Sequence, residues 1–130
     1  HQESIYPDPK EPGGVNIGLP DGIADAEYLE LLAGAAYSLF DEFHPELVLY
    51  LAGADPFEGD LLGRLGLTIA GLEQRDEKVF WEAVSRGIPI ASVASGGYAK
   101  RVEDIVTIHA NTVRVAGRFA DEIRRARWAT

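Results

Sequence analysis

The stretch Leu47-Val48-Leu49-Tyr50-Leu51-Ala52-Gly53-Ala54-Asp55-Pro56 decides how the chain reads. Five apolar residues in a row, without alternation, have the pattern of a strand buried on both faces, as strands of parallel sheets are. The run stops at glycine, and a carboxylate follows four residues past Leu51. In open α/β sheets ligands bind in the crevice beyond the carboxyl ends of the strands, so Asp55 stands where a functional group belongs.

Outward from this strand the chain alternates. Upstream, residues 26 to 43 carry Tyr28, Leu31, Leu32, Ala35, Leu39, Phe40 and Phe43 at helical spacing, with Asp25 placed as N-cap and His44-Pro45 as the stop. Before that helix, Val15, Ile17 and Leu19 suggest a short strand or extended segment closed by the turn signal Pro20-Asp21-Gly22, and residues 1 to 13 read as proline-rich loop. Downstream, Thr68 caps a helix over 69 to 86 that presents Leu72, Val79, Phe80, Ala83 and Val84, with Gly87 at its left-handed end. Residues 88 to 95 form a second buried strand. A final helix over 101 to 127 carries Val102, Ile105, Val106, Val113, Phe119 and Ile123 on or near one face. Helix, strand, helix, strand, helix predicts an α/β fold with a mainly parallel sheet and helices on both faces.

Composition narrows the function. Asp and Glu number 21 against 12 Lys and Arg, a formal charge of -9, which is no electrostatic footprint for nucleic acid. There is no cysteine, hence no disulfide framework and no thiolate chemistry. An intracellular, cytoplasmic address is compatible with the lack of cysteine and is the one expected. Since no apolar run approaches a membrane span, no membrane partner is expected beside the absent nucleic acid. The chain also contains no Met, which favours a piece of a longer protein.

Both strands end in glycine followed by a chemically capable residue, Gly53-Ala54-Asp55 and Gly96-Gly97-Tyr98. Parallel strands would open these loops on one edge, where a carboxylate serves as metal ligand or base and a phenol as donor to an oxyanion. Such a pair suits hydrolysis of a carbonyl compound by metal-activated water. Plainer readings stand beside this one: Asp55 as a turn residue before Pro56, and Gly-Gly-Tyr as a helix-entry turn with a packing aromatic. Asp60 reads as a binder of loop amides, Asp76 as an ion-pair partner beside Arg75, and His44 and His109 as structural. The Arg124-Arg125-Ala126-Arg127 tail reads as a solvated helix end.

The string Ala52-Gly53-Ala54-Asp55-Pro56-Phe57-Glu58-Gly59-Asp60-Leu61-Leu62-Gly63-Arg64-Leu65, then Leu67-Thr68, Arg75-Asp76 and Ser95-Gly96-Gly97-Tyr98, resembles the C-terminal half of the histone deacetylase superfamily. It is most like the class IV and related bacterial members. The opening His1 to Pro7 and the segment Asn16 to Gly22 also fit, so the resemblance runs to about Val115. It implies an arginase/deacetylase fold, a partial three-layer α/β/α arrangement, with a catalytic Zn²⁺ at the strand ends. It further implies that Asp55 is one of three protein ligands of the metal and that Tyr98 polarises the acyl carbonyl. Leu62 and Tyr6 would line the acyl tunnel, and Gly96 and Gly97 its wall.

The same resemblance places the other two zinc ligands and a His-His acid/base pair upstream of the residue matching His1. Residues 1 to 130 are therefore expected to be the C-terminal portion of one deacetylase catalytic domain. Their partners would be the missing N-terminal part of that domain and an acylated amine, such as acetyl-lysine. Alone, the chain is expected neither to bind catalytic zinc tightly nor to hydrolyse amides. The rival reading is a non-catalytic α/β binding or interaction module on the same fold.

Overall fold

The computed structural model describes residues 14–128. Its elements are α1 (Asp25–Phe43), β1 (Val48–Gly53), α2 (Ile69–Ser85), β2 (Ile90–Ser95) and α3 (Val102–Trp128), the alternation that the hydropathy pattern predicts. β1 and β2 pair in parallel, from Val48 opposite Ile90 to Gly53 opposite Ser95. Residues 15–18 form no regular strand, and an isolated bridge follows at Leu19. No described helix is long and apolar enough to cross a membrane.

The helices pack in series, α1 on α2 and α2 on α3. One face of the sheet meets them: the Tyr50 ring lies edge-on to Phe80 at 6.2 Å, and Phe80 stacks on Phe119 of α3 at 5.9 Å. Strand side chains alternate between faces, so Leu49, Leu51 and Val93 point the other way. They are 67%, 67% and 55% exposed. The expectation of strands buried on both faces thus fails for this chain, because among the described residues no layer covers that side. The stretch is apolar enough for the interior of a larger sheet, and only its helix-facing half is enclosed.

Helix ends follow local chemistry. Thr68 has extended backbone and its side chain accepts from the Gly71 amide, the expected cap of α2. Gly87, just past α2, has φ +71°. Asp25 is not the N-cap of α1; that position is Ala24, which makes no side-chain cap bond. The Asp25 carboxylate instead takes the Thr68 amide at 2.9 Å and its hydroxyl at 2.7 Å, tying the start of α1 to the start of α2.

Two helix faces differ from expectation. In α1 the fully buried residues are Leu29 and Ala36, while Leu31 and Phe43 are exposed, because α1 has only one neighbouring helix to pack on. In α3 the buried stripe is Ile108, Thr112 and Val115, and Val102, Val106 and Val113 face outward. The helix is apolar on two sides, and contact with α2 selects one of them.

The main core cluster lies under the loop that joins β1 to α2. Phe57, Leu65 and Leu67 from that loop meet Leu19, Ile23, Leu72 and Ile108. The loop also closes on itself and on the turn before α1, with Glu58 N–H donating to Leu67 O at 2.8 Å and Gly22 N–H to Arg64 O at 2.6 Å. A loop with buried apolar side chains and paired amides holds its shape like a regular element.

Candidate active site

The in-register parallel ladder sets both strand ends side by side. The Ala54 amide donates to Ser95 O at 2.9 Å, which carries the pairing one residue past β1 and brings the Asp55 loop against the Gly96-Gly97 loop. The Gly97 amide points at Asp55 Oδ1 at 3.3 Å. Gly96 has φ +58°, and a Cβ there would overlap the Asp55 carboxylate; Gly97 has φ +108°. Only glycine combines these backbone conformations with so close an approach. The two loops therefore meet at one edge of the sheet, as parallel strands require.

Tyr98 follows at once and is 54% exposed. Its backbone is held on both sides: its amide donates to Asp60 Oδ2 at 2.7 Å and its carbonyl accepts from the Leu61 amide at 3.2 Å. Asp60 Oδ1 takes the Leu62 and Gly63 amides at 2.8 and 2.7 Å, so Asp60 does bind loop amides. Leu62 is 61% exposed on this loop. Asp55, Gly96, Gly97, Tyr98 and Leu62 thus gather at one end of the sheet, whereas Tyr6 lies outside the described residues.

Beneath the site is a buried polar network. Arg75 Nη1 donates to the Gly53 carbonyl at 2.6 Å, and its Nε and Nη2 donate to Asp76 Oδ1 at 2.9 and 2.8 Å. Asp76 also accepts the Tyr50 hydroxyl at 2.5 Å and the Thr112 hydroxyl at 2.6 Å. Both charged side chains are almost inaccessible, at 5% and 1%. The expected Arg75–Asp76 pair is present, and it joins β1, α2 and α3 directly below the Asp55 loop. Burial pushes the Tyr50 phenol well above its ordinary pKa, with Arg75 opposing and Asp76 reinforcing the shift. Burial also lowers the tendency of Arg75 to stay charged, but Tyr50, Asp76 and Tyr28 more than offset this and its pKa is raised. Arg75 is a permanent cation.

From the other side, His109 Nε2 lies 3.3 Å from the Gly96 carbonyl. A carbonyl only accepts, so Nε2 is the donor in this contact. Its Nδ1 is buried without a hydrogen-bond partner. A cavity of about 320 Å³ beside Asp55 is lined by Tyr28, Tyr50, Arg75 and apolar neighbours. The Arg75 contact to Gly53 and the His109 contact to Gly96 escape sequence reasoning, because the partner in each case is a main-chain carbonyl that any residue supplies.

A catalytic zinc takes three protein donors and keeps one open position. Asp55 is a partly exposed carboxylate suited to be one of them, but the described residues contain no group of three His, Cys, Asp or Glu side chains able to hold a metal. These residues therefore do not make up a catalytic zinc centre by themselves.

Residues 1–113 match the histone deacetylase domain. An uncharacterized protein of Picosynechococcus sp. is 39% identical over 116 residues, covering 89% of this chain and 39% of that protein. Histone deacetylase 2 of Arabidopsis thaliana is 44% identical over 84 residues, covering 65% of this chain and 22% of the relative. The chain thus spans well under half the length of the relatives it matches. Among solved structures, acetylpolyamine aminohydrolase from Burkholderia pseudomallei superposes with a TM-score of 0.67 at 22% identity, over 81% of this chain and 29% of that one. That likeness shows the fold, an arginase/deacetylase-like α/β architecture. With residues 1–113 of its 130 matched by that domain, the chain belongs to the histone deacetylase family.

Proposed function

We propose that the protein carrying these residues is a zinc-dependent deacylase that hydrolyses an N-acyl amide, such as acetyl-lysine or a small acetylated amine. The observation that carries this reading is the Asp55 carboxylate lodged against Gly96 and Gly97, with Tyr98 next in the chain, at the joined ends of two parallel strands. Asp55 supplies one metal ligand, and the remaining ligands and the acid/base pair come from outside the described residues. The Tyr98 phenol donates to the acyl carbonyl oxygen, an interaction that strengthens as negative charge develops there. Leu62, Gly96, Gly97 and Tyr6 bound the channel for the acyl chain.

On this reading the 130-residue chain alone neither retains zinc nor turns over an acetylated amine, since it offers Asp55 as a single ligand. Stoichiometric zinc with deacylase turnover by the isolated chain would contradict that. In the intact enzyme Tyr98→Phe lowers kcat by about 10²-fold or more, the usual cost of one oxyanion donor, with zinc content unchanged. Unaltered turnover by the Phe variant would remove Tyr98 from the chemistry.

A further inference from the structure

Asp60 makes three hydrogen bonds to two loops with different tasks. Oδ1 gathers the Leu62 and Gly63 amides, which shapes the turn presenting Leu62. Oδ2 reaches across to the Tyr98 amide at 2.7 Å, and the Leu61 amide returns a bond to the Tyr98 carbonyl. Asp60 and Ala99 form an isolated antiparallel bridge, a second meeting point of the two loops beyond Asp55 and Gly97. A carboxylate accepting three amide hydrogens uses charge-assisted bonds, which are stronger than neutral ones. Gly63, held by Asp60, packs in turn on the backbone of Asp55, where a Cβ would overlap the Asp55 carbonyl.

We infer that Asp60 is a positioning residue for the deacylation: it sets the Tyr98 loop relative to the Leu62 loop, and so sets where the phenol stands over the acyl group. This rests on the assignment of Tyr98 proposed above. A group held by its backbone this near the reacting carbonyl is sensitive to small displacements, because a misplacement of about 1 Å can cost on the order of 10²-fold in rate.

Asp60→Asn separates the two tasks. The amide oxygen still accepts from Leu62 and Gly63, but an NH₂ now faces the Tyr98 N–H, so the bond between the loops is lost while the turn is kept. In the intact enzyme, with an acetyl-lysine peptide, D60N is expected to lower kcat by about ten- to a hundredfold with KM, zinc content and thermal midpoint little changed. Asp60→Ala, which also frees Leu62, is expected to lower kcat similarly and to raise KM for longer acyl chains. Wild-type kcat in D60N, beside a Tyr98→Phe enzyme that has lost turnover, would overturn the inference and leave the function standing. Parallel loss of zinc or thermal stability in D60N would reduce Asp60 to a structural role and overturn it too. Full turnover in Tyr98→Phe would overturn both.

Discussion

The guanidinium of Arg75 reaches from α2 to the carbonyl of Gly53, 2.6 Å away, at the last residue of the strand that leads to Asp55. The strand end is thereby gripped by a cation that is itself held by Asp76, which also accepts the Tyr50 and Thr112 hydroxyls. A buried ion pair is a poor source of net stability compared with apolar packing, but losing one member leaves a charge stranded.

Asp76→Ala should therefore destabilise the intact protein by about 3–5 kcal/mol, because it strands the Arg75 charge and removes the acceptor of the Tyr50 hydroxyl. Urea unfolding measures this. A loss below about 1 kcal/mol, the size of a surface pair, would mean that the network is solvated.

Gly96→Ala and Gly87→Ala make a matched pair. Both glycines have positive φ, so each substitution costs roughly 1–2 kcal/mol of backbone strain. Only at Gly96 would the new methyl meet the Asp55 carboxylate; Gly87 has open space around its Cβ position. The expected outcome is a stability loss in both, larger in G96A, with deacylase activity removed in G96A alone. Equal activities would show that the approach of the two loops does not matter.

The Tyr50 phenol has its pKa raised in the folded state, chiefly by burial. Between the ordinary tyrosine pKa and the folded one the native state holds the proton that the unfolded state has lost, so unfolding free energy falls with rising pH there. Stability from this group is thus complete below about pH 10 and declines above it. Tyr50→Phe should flatten that alkaline decline, followed by denaturant titrations across the range. Tyrosinate absorbance from Tyr50 appearing before the protein unfolds would contradict the assignment.

Much of this architecture is readable in the chain because local chemistry dictates it. The apolar run at Leu47 to Leu51 becomes a parallel strand, Thr68 caps α2, and Gly87 ends it. The strand-end placement of Asp55 and Tyr98 follows from parallel pairing, which alternating helices and strands require. What is not legible depends on distant partners. Asp25 looks like a local cap, but Thr68, 43 residues on, offers it both an amide and a hydroxyl. Along α3 apolar residues occupy two faces, and the inward one is chosen where Thr112 meets Asp76 on α2. Leu49 and Leu51 have the pattern of an interior strand, and their outward face stays open because burial on that side needs a layer that the described residues lack.

The central claim is that Asp55 holds the metal of a deacylase. The direct measurement is zinc content and turnover of an acetyl-lysine peptide in the intact enzyme and its Asp55→Ala variant, side by side. The account predicts loss of stoichiometric zinc and of turnover together, with the fold retained because Asp55 is only partly buried and lies at a loop surface. An Asp55→Ala enzyme that keeps both its zinc and its activity would contradict it.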